Sequence, residues 1–153
     1  MERHMYRAAV IAGATAGVAL GFLKWAAYLV GILPYQTYIL TAGIILPVNL
    51  AFTIQGYLIG FLVHTAFTGL WGVLFALLVR DRLSEAISWG IGFGIMTMVL
   101  LAGFLMGYFT PEQPFWNLNQ AAQYFTIISS ILYGAFLGYL YRQFLRLPAG
   151  VHR

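Results

Sequence analysis

The chain has 153 residues, of which 61% are hydrophobic and 8% charged, with mean hydropathy +0.84 and formal net charge +4. A soluble domain carries about 25% charged residues, so a buried core cannot account for so few charges and the outer surface must face lipid. The lack of cysteine excludes a disulfide framework, thiolate chemistry and a Cys-based metal site.

The first apolar run, Ala8 to Ala27, has no charge before Lys24 and carries small residues at four-residue spacing: Ala9, Gly13, Gly17 and Gly21. Such a stripe costs stability in water but lets a second backbone come close in lipid, where packing drives helix association. The pattern recurs at Gly56/Gly60, Gly90/Gly94, Gly103/Gly107 and Gly134/Gly138. It marks a tightly packed bundle of membrane helices and offers interfaces to a partner. The run is too long for the apolar region of a signal peptide, and it reads as a retained first helix ended by Gly31 and Pro34.

The next stretch, 34–56, has no charge but is interrupted by Gly43, Pro47 and Asn49. A structureless loop so long and apolar is unexpected. A short interfacial or re-entrant helix over about 37–46, then a helix starting near Val48, is the preferred reading; a fifth span over 36–56 is the alternative. That fifth span would move Arg80 and Arg82 to the opposite side from Arg3 and Arg7 and break the positive-inside rule. Beyond the second span comes a tight hairpin, 80–85, with Ser84 as N-cap of the third helix. The loop 109–119 holds Pro111 and Pro114, and Asn117 or Asn119 starts the fourth helix.

The expected architecture is all-α: a single transmembrane domain over 1–153, an integral membrane four-helix bundle with spans about 8–30, 56–79, 86–108 and 121–145. Arg3, Arg7, Arg80, Arg82, Arg142, Arg146 and Arg153 then lie on one side, the cytoplasmic one, together with both termini. Nothing interleaves these arginines with aromatics as a nucleic-acid surface would require. The lipid bilayer is the expected partner, with a homo-oligomer or a larger membrane complex as the candidate assembly.

Reactive groups are few. The acids Glu2, Asp81, Glu85 and Glu112 all fall outside the spans, and His64 is the lone histidine within one. No catalytic fingerprint is present, so no enzyme, cofactor or metal is expected. At 1.5 Å per residue, Lys24, His64 and Thr126 each lie roughly 24–26 Å from the basic boundary, with Gln123 about a turn beyond. Lys24, His64, Glu112, Trp116, Gln123 and Thr126 therefore form a candidate ligand-binding layer opening outward. The same residues also read as ordinary packing: a snorkelling lysine, a helix–helix hydrogen bond and a solvated acid.

The glycine-rich first helix, the apolar segment before the second helix, the spaced Pro111 and Pro114, and Tyr133-Gly134-x-x-Leu137-Gly138-Tyr139 near the end together resemble the YqhR-like group of small bacterial four-span membrane proteins. The resemblance implies a fold and a bacterial plasma membrane, not an activity, and it transfers no catalytic residue. Two functions stay open: a non-enzymatic scaffold or subunit, and a small oligomeric transporter or channel module using the Lys24/His64 layer.

Overall fold

The computed structural model describes residues 2–80, 82–105 and 115–146. Among them, four helices are long and apolar enough to cross a membrane. The first, α1 (Glu2–Leu29), ends where Gly31 takes a left-handed conformation, φ 77°. There the Ile32 N–H reaches back to the Ala27 carbonyl at 2.9 Å and the Gly31 N–H to that of Tyr28 at 3.0 Å. This is a Schellman stop, which satisfies carbonyls a plain helix end would leave orphaned.

Two short helices follow, α2 (Thr37–Gly43) and α3 (Val48–Ala51), separated by a turn that ends at Pro47. The helix expected to start near Val48 does not run on into the second span. Thr53 is extended, and its hydroxyl accepts from the Gly56 N–H at 3.1 Å, so a new helix, α4 (Ile54–Val79), starts there.

A 3-10 turn (Leu83–Glu85) leads into α5 (Ala86–Met98), which continues as a π-helical stretch (Val99–Leu105). Ser84 lies inside the 3-10 turn and is not the N-cap; that place is taken by Glu85, with no side-chain capping bond. The last helix, α6 (Gln120–Arg146), follows a 3-10 turn at Phe115–Asn117. Asn119 caps it, its Oδ1 accepting from the Ala122 N–H at 2.9 Å. Gly107 and Glu112 lie outside the described residues, and Gly103 falls in the π-helical stretch.

Packing follows the small-residue stripes. On α4 they run through Gly56, Gly60, His64, Thr68, Gly72 and Ala76, and on α6 through Ala122, Thr126, Ser130, Gly134 and Gly138, every one of them buried. Helix α1 lies antiparallel to α4: a Cβ on Gly13 would fall 2.9 Å from Gly72 Cα, and one on Gly17 would run into Thr68. Helices α5 and α6 pair in the same way, Gly90 against Gly134 and Gly94 against Ser130 and Gly134, while Gly138 abuts Ala86. Except at Gly17, which meets the Thr68 side chain, these contacts are backbone against backbone, so any side chain there would force the helices apart. At Gly13, Gly17, Gly21, Gly56, Gly60, Gly90, Gly94, Gly134 and Gly138 the stripes expected to serve a partner are thus occupied within the chain.

The two pairs join across α1 and α6. Around that seam a core forms from Ala8, Ala12 and Ala16 with Tyr133, Leu137 and Tyr141, closed by Phe75. The Phe75 ring meets Phe93 at 5.5 Å and Tyr141 at 5.7 Å. Because both pairs are antiparallel, Arg3, Arg7, Arg80, Arg82, Arg142 and Arg146 gather at one end of the bundle, here called the basic end. Six of the seven arginines expected to share a side thus lie at one end of the bundle, and Arg153 falls outside the described residues.

Candidate polar site at the far end of the bundle

At the end away from the arginines, α1 and α4 present no side chain at Gly21 and Gly60, and the vacated space is filled from α2. Tyr38 is the wedge. Its hydroxyl end occupies the place a Cβ on Gly21 would take, and its carbonyl lies where a Cβ on Gly60 would be. The Tyr38 ring stands edge-on to Phe61 and to His64, each with centroids 5.6 Å apart. Thr41 ties the same helix down, its hydroxyl 2.9 Å from the Gly60 carbonyl and also within reach of the carbonyls of Thr37 and Tyr38. The segment therefore folds back onto the bundle.

His64 is buried, and its Nε2 lies 3.1 Å from the Gly17 carbonyl, a contact that Gly17 permits by having no side chain. A carbonyl only accepts, so Nε2 must carry the proton and Nδ1 is left as an acceptor. Lys24 is half-buried, two turns along α1 from Gly17.

The other candidates gather elsewhere. Gln123 donates from Nε2 to the carbonyls of Leu118 (2.9 Å), Trp116 (3.3 Å) and Phe115 (3.5 Å), which holds the turn before α6 together. Trp116 packs edge-on to Phe115 and is itself 69% exposed. Thr126 donates to the Ala122 carbonyl at 2.8 Å and is the side-chain partner of Tyr35. Burial pushes the Tyr35 phenol above its ordinary pKa, and the bond with Thr126 offsets part of that rise. By its hydrogen bonds the expected layer falls into two groups: His64 is tied to α1 through the Gly17 carbonyl, while Thr126 and Gln123 bond within α6 and the turn before it. Glu112, the acid expected to complete it, lies outside the described residues.

What links the two groups is the segment 35–38, which reaches Thr126 through Tyr35 and His64 through Tyr38. Gln36 and Tyr38 are buried, and Gln36 Oε1, Thr37 Oγ1 and the Tyr38 hydroxyl have no hydrogen-bond partner. Sequence reading passed over Tyr35, Gln36, Tyr38 and Thr41. The available signal was a run of four polar or amphipathic residues, Tyr-Gln-Thr-Tyr, in an otherwise apolar segment. Elsewhere the buried hydroxyls of Thr68, Thr97, Ser129 and Ser130 bond back to carbonyls of their own helices.

Chemically the far end offers an imidazole with one free acceptor, a phenol, an amide and an ammonium. Among the described residues, no three His, Cys, Asp or Glu side chains converge as metal ligands. No protein family, curated protein or solved structure matches the chain.

Proposed function

We propose that this protein is a non-enzymatic component of a bacterial plasma membrane, a closed helical scaffold or subunit with both termini in the cytoplasm. The observation that carries this reading is the use of the glycine stripes and buried hydroxyls within the chain, with α2 filling the far end. Such a bundle acts through its lipid-facing surface, on lipid, on a second copy or on a partner chain. The basic end supports the orientation, because cytoplasmic loops carry the excess of arginine. The resemblance to the YqhR-like group, on the glycine-rich first helix and the Tyr133–Tyr139 stretch, points to the same outline.

A second reading, a transporter or channel module, draws on the partnerless Gln36, Thr37 and Tyr38 oxygens beside His64. Polar atoms without partners are costly in a dry interior, and water entering from the far side would satisfy them. The chain has no native cysteine, so thiol accessibility separates the two. Single cysteines replace His64, Thr126 and, as an exposed reference, Leu50, and intact cells are treated with a membrane-impermeant thiol reagent. The scaffold reading expects labelling at position 50 alone. Labelling at 64 and 126 would overturn it in favour of a wet pocket.

A further inference from the structure

At the basic end, α5 leaves one face largely open beside its contacts with α4 and α6. Ser88, Trp89, Gly92, Phe93 and Met96 line an open groove of about 360 Å³ along α5. Its floor is Gly92, where an added Cβ would meet nothing within 4 Å, unlike Gly90 and Gly94, which are pressed against α6. Phe93 forms the inner wall, held by Trp71 and Phe75 of α4. Trp89 forms the mouth, and its orientation is fixed twice: the indole N–H donates to Glu85 Oε2 at 3.0 Å, and the Arg82 guanidinium lies over the ring, 5.0 Å from its centroid.

We propose that this groove is a binding site for an anionic phospholipid, with one acyl chain along Gly92 and the headgroup phosphate on Arg82. Three features fit that occupant. From Ser88 to Met96 the groove runs roughly 12 Å, most of the ~15 Å depth of one leaflet's hydrocarbon. The guanidinium stands at the headgroup end, a cation with fixed planar donors suited to phosphate oxygens. The lining is apolar or aromatic with a single hydroxyl, Ser88, nearest the mouth, as an acyl chain under a polar headgroup requires.

Lipid tails already sit in hydrocarbon, so the groove supplies shape and no hydrophobic driving force. Preference must come from the charge. A basic side chain near an anionic surface contributes about 1 kcal/mol, roughly a fivefold preference, which salt screens. The inference needs only that the chain is a membrane protein and is independent of whether it is a scaffold or a transporter.

The test measures association of spin-labelled phosphatidylglycerol and spin-labelled phosphatidylcholine with the full chain in phosphatidylcholine vesicles. For the unaltered chain, phosphatidylglycerol is expected to be favoured about fivefold at low salt. Arg82→Gln is expected to remove most of that preference, while Arg146→Gln, a charge lost at the same end but away from the groove, leaves it in place. Gly92→Leu fills the groove and lowers the immobilised fraction of both lipids. Equal losses from Arg82→Gln and Arg146→Gln, or none from Arg82→Gln, would overturn the site, since either means diffuse charge attraction. A change in oligomeric state with Gly92→Leu would overturn it too, because the occupant would then be a second copy. Should Gly92→Leu fail to fold, the two arginine variants decide alone.

Discussion

His64 and Tyr38 touch each other, yet their polar atoms stand in opposite situations. His64 Nε2 has the Gly17 carbonyl, while the Tyr38 hydroxyl has no partner. An interhelical hydrogen bond in a membrane contributes about 0.6 kcal/mol on average and up to ~2 kcal/mol. His64→Leu is therefore expected to cost about 1 kcal/mol of stability, read as a lowered thermal midpoint in detergent. Tyr38→Phe keeps the ring against His64 and removes only a partnerless group, so it is expected to be neutral within about 0.5 kcal/mol or slightly stabilising. A loss with Tyr38→Phe as large as that with His64→Leu would show that water or Lys24 meets the hydroxyl in the bilayer, and would favour the wet pocket.

Between helices the deciding quantity is backbone separation. In the α5–α6 pair, a Cβ on Gly134 would collide with the Gly90 carbonyl and come within 3.0 Å of Gly94 Cα. Neither is the end of a flexible side chain, so neither can give way without moving a helix. Gly134→Ala is expected to destabilise by ~1–3 kcal/mol, the usual range for overpacking. Gly92→Ala lies on the same α5 but faces open space, and is expected to be neutral or to gain up to about 1 kcal/mol from helix propensity. Unfolding of the two variants in detergent against the parent checks both. Similar losses from both would mean that the α5–α6 backbones are not in contact.

For the whole molecule, the arrangement of two antiparallel pairs fixes which ends lie together. Cysteines at His4, Ser84 and Gln143 should share one side of the membrane, and one at Leu50 the opposite side. In oriented vesicles, an impermeant thiol reagent is expected to label the first three together and the fourth only when the vesicles are inverted. A split among the first three would break the four-span topology and restore the fifth span over 36–56. The same arrangement puts the Arg82 groove and the Tyr38 wedge at opposite ends, so a lipid bound at one makes no contact with the other.

Composition and hydropathy alone marked a chain whose surface suits lipid and four helices long and apolar enough to cross it, because charge is too scarce for a water-facing surface and long apolar runs stand out at any register. The arginine clusters likewise pointed to the helix ends that lie together in the bundle. Glycine spacing announced close packing, since only missing side chains let backbones touch, but it could not say what would fill the space. That choice fell to the tertiary structure: α4 fills it for α1, α6 for α5, and Tyr38 fills the remainder at Gly21 and Gly60. Depth counted along each helix put Lys24, His64 and Thr126 in one layer, because rise per residue is fixed. Depth carries no azimuth, however, and the members bond to different elements, His64 to the Gly17 carbonyl of α1 and Thr126 to the Ala122 carbonyl of its own helix. The start of α4 at Thr53 was also decided locally, by the orphaned Gly56 N–H that the threonine hydroxyl could reach.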